Sequence, residues 1–126
     1  YDIIGCMQYV HRQLGPGMPE YIYQEALVRK LVKERFDVRK ELEYHPLFDG
    51  EPLRGFIKMD MVVMMPRGNV IIECKSIKTI TDKEQFQTFG YLRGTLFPIA
   101  ILVNFGTWPK AQIERYYFHD GIIRAF

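Results

Sequence analysis

The sequence predicts a single α/β domain over residues 1–126, with a central mixed β-sheet flanked by α-helices. Three observations predict it. Two segments of helical period come first. Two apolar strand-like runs joined by a Pro/Gly/Asn turn follow. A third helical segment then leads into a continuous apolar run. The implied order is α-α-β-β-β-α-β-β-β.

Ile3, Ile4, Met7, Val10 and Leu14 follow helical spacing, and Gly15-Pro16-Gly17 stops that helix. A second helix begins near Pro19, which suits the first helical position. Tyr23, Leu27 and Leu31 form its apolar stripe, while Glu25/Arg29 and Lys30/Glu34 are i, i+4 pairs on other faces. Phe36 to Tyr44 alternates loosely and reads as a first strand, and Asp49-Gly50 marks a turn. Gly55 to Met64 and Asn69 to Lys75 form a central hairpin. Thr81-Asp82 caps a helix running through Phe86, Phe89, Tyr91 and Leu92 to about Arg93. Phe97 to Phe105 is an almost continuous apolar run, as in a strand buried on both faces. Ile113 to Phe118 and Ile122 to Phe126 make a last hairpin around Asp120-Gly121.

A chain of 126 residues is long enough for one real core. Its 48% hydrophobic and 25% charged content excludes long disorder, and its net charge of +2 neither requires nor excludes a local basic patch. Cys6 and Cys74 have neither metal-ligand nor disulfide spacing, which fits a reducing, cytoplasmic compartment. No run reaches transmembrane length, so no membrane partner is expected.

The chemistry concentrates in the central hairpin. Each of its apolar runs carries an acid, Asp60 in the first and Glu73 in the second. If these two face each other, paired residue numbers sum to 133 and Met64 faces Asn69. A four-residue loop of ordinary hairpin length is left, Met65-Pro66-Arg67-Gly68. Lys75, two residues past Glu73, shares its face, and Cys74 points the other way into the apolar layer. Charges among Val, Ile and Met are rarely buried unless paired or metal-bound, so the trio reads as a site for a divalent metal on a phosphate rather than as a solvated hairpin face. The alternative for Lys75 is a simple ion pair with Glu73 or Asp60. The same register sets Lys58 against Lys75, an unfavourable pair unless an anion or a bulge separates them. Glu20 projects from the core-facing stripe at the start of the second helix, where a carboxylate either offsets the helix dipole or reaches the site as a third acid. His11 lies beside the first apolar stripe, as a hydrogen-bonded structural histidine or an approach to the site.

A hairpin bearing D…ExK, then a helix, then a buried strand resembles the PD-(D/E)XK nuclease superfamily, whose core is restriction-endonuclease-like. More closely, the chain resembles the GxxExxY family within it. The naming motif stands as Gly17-Met18-Pro19-Glu20-Tyr21-Ile22-Tyr23, led by Val10-His11-Arg12-Gln13-Leu14-Gly15-Pro16-Gly17. Gln87-Thr88-Phe89-Gly90-Tyr91-Leu92 is similar to its Q-x-x-x-Y-L, and Leu102-Val103-Asn104-Phe105-Gly106 to its LxNFG. The resemblance covers about residues 3 to 118.

The resemblance implies hydrolysis of nucleic-acid phosphodiesters, DNA before RNA, with magnesium or manganese. Asp60, Glu73 and the backbone carbonyl of Cys74 would hold the metal, with Glu20 as a further ligand. Lys75 would orient the attacking water, and Gln87, otherwise a surface glutamine, would contact that water or the scissile phosphate. Lys58 and Tyr91 would bind substrate. Two other readings stay open. One is a nucleic-acid-binding domain of the same fold with weak or no turnover. The other is a hydrolase of a small phosphorylated compound, which predicts a closed pocket. A bare domain of this size implies targeting by a partner protein or low sequence specificity, and the last hairpin offers a surface for a homodimer.

Overall fold

The computed structural model describes residues 1–126. Helix α1 (Ile3–Leu14) is capped by Asp2, whose carboxylate accepts from the Gly5 N–H at 2.6 Å. It ends at Gly15, where φ is 67° and the N–H returns to the His11 carbonyl at 2.8 Å. Helix α2 (Glu20–Lys33) begins one residue later than expected. Pro19 serves as its N-cap in an extended conformation, because the Pro19 carbonyl already takes the first turn's bond from Ile22 at 3.1 Å.

Eight strands follow: β1 (Asp37–Tyr44), β2 (Leu47–Phe48), β3 (Glu51–Pro52), β4 (Ile57–Met64), β5 (Val70–Lys75), β6 (Ile99–Asn104), β7 (Gln112–His119) and β8 (Ile122–Ala125). Helix α3 (Asp82–Thr95) lies between β5 and β6. Its start is fixed by the Glu84 carboxylate, which accepts from the Thr81 N–H and hydroxyl, each at 2.8 Å. The six-stranded sheet runs β1-β4-β5-β6-β7-β8, with β5 and β6 parallel and every other neighbour antiparallel. The β5-α3-β6 crossover is what the parallel pair requires. The two-residue strands β2 and β3 were not expected as strands; they flank the Asp49-Gly50 turn as a small separate hairpin. The sheet is thus mixed, as the sequence predicted, and helices cover both faces.

The helices divide over the two faces. On one face α1 and α2 bury Cys6, Met7, Val10, Tyr23, Leu27 and Leu31 against Met61, Val63, Ile72, Cys74, Val103 and Phe105. On the other face α3 packs Leu92 against Val62, Ile71 and Ala100. Each of the larger side chains contributes about 1.5–3 kcal/mol by leaving water.

The β4–β5 register is the one the sequence implied: Met61↔Ile72, Val62↔Ile71 and Val63↔Val70. The ladder stops at Met61↔Ile72, one position short of Asp60 and Glu73. The expected Lys58–Lys75 juxtaposition is therefore not part of the sheet. Lys58 is exposed and stands opposite Glu43 of β1.

A second irregularity meets the first. In the β1–β4 ladder Glu41 is skipped between the pairs Lys40↔Met61 and Leu42↔Met59, which places it opposite Asp60. Its φ is 50°, an uncommon conformation for a glutamate. Across this point both strands change the face they bury. Val38, Met61 and Val63 belong to the α1/α2 side, whereas Leu42, Tyr44 and Met59 belong to the α3 side. Residues two apart in a regular strand share a face, and Met59 and Met61 do not. Asp60 sits at the crossover.

Candidate active site

Where the β4–β5 ladder ends, the two acids take over its hydrogen bonds. The Asp60 N–H donates to Glu73 Oε1 at 2.9 Å, and the Cys74 N–H donates to Asp60 Oδ2 at 2.9 Å. Backbone donors that would otherwise meet carbonyls thus meet carboxylates, and the two carboxyl groups lie against each other. Glu73 is only 2% exposed. Burial, and then the charge of Asp60, pushes its pKa up to about 8. The Asp60 carboxyl is likewise raised, chiefly by burial, with the charge of Glu41 adding to it. Cys74 is fully buried in the α1/α2 core, as its alternation predicted, and its thiol is held well above its usual range by burial.

Lys75 is half-buried at the end of β5 and forms no ion pair with either acid. Its ammonium donates instead to Gln87 Oε1 at 3.0 Å. Gln87 is on the exposed side of α3, and Tyr91, one turn on, is close enough for burial and the charges of Glu73 and Asp60 to raise its hydroxyl to about 12. The phenol therefore keeps its proton. Glu20, half-buried at the start of α2, has its carboxyl raised by burial, opposed by Lys75 and reinforced by Asp60. The Ser76 hydroxyl, donating to the Met18 carbonyl at 2.7 Å, ties the end of β5 to the turn before α2. Asp60, Glu73, Lys75, Gln87, Tyr91 and Glu20 therefore gather at one end of the sheet. Lys58, at the outer end of β4, makes no hydrogen bond or ion pair to any of them. His11 is buried, its Nε2 at 2.8 Å from the Thr107 carbonyl, which is a structural bond.

Sequence reasoning named Asn104 and Gly106 without a role, and the structure supplies one. Asn104 is fully buried. Its Oδ1 accepts from the N–H groups of Ile77 and Gly106, each at 3.0 Å, and its amide donates to the Ile77 carbonyl at 3.0 Å and Gln112 Oε1 at 3.2 Å. Gln112 in turn accepts from the Ile80 N–H at 2.9 Å. A Cβ on Gly106 would stand 2.3 Å from the Ile77 carbonyl oxygen, so only glycine fits. This clamp fixes the segment from Lys75 to α3 and hence the spacing of Lys75 and Gln87. Glu41 was missed altogether. With Tyr21, Gln24, Val28, Arg29 and Lys40 it lines an open groove of about 600 Å³ that ends on Asp60.

A model of the PD-(D/E)XK nuclease superfamily matches residues 1–116, and the chain belongs to that superfamily. The crystal structure of the protein SSO0001 is similar in fold, with a TM-score of 0.52 at 16% identity; the match covers 90% of this chain and 65% of that one. The chain thus spans about two thirds of that protein's length, and the likeness shows a shared fold. No curated protein matches the chain.

PD-(D/E)XK nucleases typically use divalent metals, and the donor set fits one. No three His, Cys, Asp or Glu side chains are gathered into a cage. Each of the two carboxyl groups spends one oxygen on a backbone N–H, and neither has a cation bonded to it. A hard cation that keeps several waters is held by one or two carboxylates in this way. Glu20 lies within electrostatic reach of Asp60 but outside any such cluster.

Proposed function

We propose that the protein is a divalent-metal-dependent nuclease of the GxxExxY kind, hydrolysing phosphodiester bonds in DNA. The observation that carries this reading is an ammonium left free beside two acids. Lys75 is held by a neutral amide rather than neutralised by Asp60 or Glu73.

Asp60 and Glu73, with the Cys74 carbonyl, would hold magnesium or manganese, and Glu20 would reach it through water. Such an ion polarises a phosphate oxygen and lowers the pKa of a bound water. Gln87 holds the Lys75 ammonium without neutralising it, so that it would meet the attacking water and the charge that develops on the phosphate. Tyr91, protonated through the physiological range, would donate to a phosphate oxygen, and Lys58 would meet the backbone further out. The groove beside Asp60 is open rather than enclosed, which supports a polymer over a small phosphorylated compound.

The test is cleavage of single- and double-stranded DNA and RNA with magnesium or manganese, run beside Asp60→Ala, Lys75→Ala and an EDTA control. Metal-dependent cutting by the wild type that both variants lose is the expected result. A folded wild type that binds nucleic acid but neither cuts it nor binds metal would leave a binding domain of the same fold.

A further inference from the structure

The hairpin between β1 and β4 exposes four large apolar side chains in ten residues: Leu47 (59%), Phe48 (66%), Leu53 (47%) and Phe56 (52%). It is not a loose loop. The β2–β3 pairs Leu47↔Pro52 and Phe48↔Glu51 set its tip. The Leu53 N–H closes on the Pro46 carbonyl at 2.9 Å, and His45 Nδ1 lies 3.0 Å from the Leu53 carbonyl and 3.2 Å from that of Gly55. The His45 ring meets Phe56 edge-on, with centroids 5.8 Å apart. A projection with ordered backbone and apolar side chains turned to water has its binding conformation prepared in advance.

Two ties place this projection beside the candidate active site. Its neck is the pair Tyr44↔Ile57, and Ile57 is three residues before Asp60 on β4, about 10 Å along the strand. The neck also rests on α3. A Cβ at Gly94 would lie 3.2 Å from Ile57 Cδ1 and 3.5 Å from Pro46 Cγ. Gly94 is two turns beyond Gln87 on the face that also carries Tyr91, again about 10 Å away. Successive nucleotides of one strand are spaced by about 3.4 Å, so the neck stands about three nucleotides from the bond that Lys75 and Gln87 would address, and the tip side chains stand further out.

We propose that the β2–β3 hairpin is an apolar wedge that packs against the bases of the nucleic acid several nucleotides from the cut. The proposal rests on the nuclease reading above. Bases rather than phosphates are the partner because the tip carries Asp49 and Glu51, which repel a phosphate backbone, while the cations Arg54 and Lys58 sit back toward the neck. Apolar side chains driven between bases are an established way of gripping or parting nucleic-acid strands. A second copy of the chain is the weaker occupant. Four half-exposed side chains of roughly 200 Å² each offer about 400 Å², half of the ~800 Å² per partner of a stable dimer.

The test uses the full chain in a Lys75→Ala background, so that bound substrate is not cut, with magnesium present. Fluorescence anisotropy compares Leu47→Ser/Phe48→Ser with its parent on labelled single-stranded, blunt and forked DNA. Melting curves check that both fold equally. The expected result is a loss of affinity of about ten- to a hundredfold on single-stranded and forked DNA, with the salt slope unchanged, since stacking rather than phosphate contact is removed. Equal affinities would overturn the wedge, and cutting by the wild type would then leave the nuclease reading standing. A shift from dimer to monomer in sedimentation would overturn it in favour of a second copy. A wild type that neither binds nor cuts any nucleic acid would sink both readings together.

Discussion

Lys75 and Asn104 stand opposite each other on the parallel strands β5 and β6, and the polar centres around them are built in contrary ways. Asn104 is neutral, and each of its buried polar atoms has two protein partners. Asp60 and Glu73 are acids set side by side, each accepting one backbone N–H, with their pKa values pushed up, Asp60 chiefly by burial and Glu73 by burial and then the charge of Asp60. A fold gains from the first arrangement and loses from the second. An unfavourable centre one strand away from a satisfied one is where the proposed nuclease site would take its ligand. The cation proposed at the acids would relieve the second centre.

The largest effect should come from removing the free ammonium. Lys75→Ala is expected to cut turnover by a factor on the order of 10³, as loss of a group that meets charge developing in the transition state does. Its melting temperature should hold, because Lys75 supports no ion pair and its bond to Gln87 lies at the surface. The matching change across the strand should do the reverse. Asn104→Ala orphans the buried Ile77 groups and is expected to cost about 2–4 kcal/mol in urea unfolding. Gly106→Ala should be no milder, since its Cβ would collide with the Ile77 carbonyl at 2.3 Å. If Lys75→Ala proved the less stable of the two, the contrast between the centres would collapse.

The acids also give the contrast a pH dependence. The folded Glu73 holds its proton up to about pH 8, whereas the unfolded chain releases it near the ordinary value of 4.5. The folded state binds more protons in that window, so stability in EDTA should fall as pH rises from about 4.5 to about 8. Asp60 is raised as well and acts in the same direction. Glu73→Gln removes the buried charge and keeps the acceptor for the Asp60 N–H. It should flatten the slope and make the metal-free protein more stable than wild type above pH 8, by about 1 kcal/mol or more. The Asn104 centre has no titrating group, and Asn104→Ala should shift the whole curve without tilting it. Thermal melts at closely spaced pH values read both.

How much of this was legible beforehand follows from the same residues. The Asp60–Glu73 register could be read because Val, Ile and Met on both runs, joined by a Pro-Gly turn, leave one alternation that buries the apolar face. Cys74 followed from it. Glu41 could not be read. A left-handed glutamate has no compositional signature, and the change of buried face that it shares with Asp60 breaks the period-two rule on which the reading rested. Strands β2 and β3 are too short to show any period, although their Asp49-Gly50 turn was visible. Asn104 offered half a signal. A polar residue ending a buried apolar run must be bonded, but its partner Ile77 is 27 residues back, and nothing local points there.

The smallest expected effect is the one that best separates positioning from mere proximity. Gln87 is exposed and touches the site through Lys75, so Gln87→Ala should leave stability within about 0.5 kcal/mol of wild type. With its acceptor gone, the ammonium is free to swing toward Asp60 and Glu73, and turnover should fall about tenfold with KM nearly unchanged. Gln87→Glu keeps the shape and adds a charge. It converts the neutral hold on Lys75 into an ion pair, so a residue that merely needed an acceptor would tolerate it. A nuclease that needs the ammonium uncompensated would not, and should lose more than Gln87→Ala does. Steady-state kinetics on the two variants, ranked Ala above Glu, would support an ammonium kept free by design of the site. The opposite order would make Gln87 a simple anchor, and the free charge of Lys75 incidental.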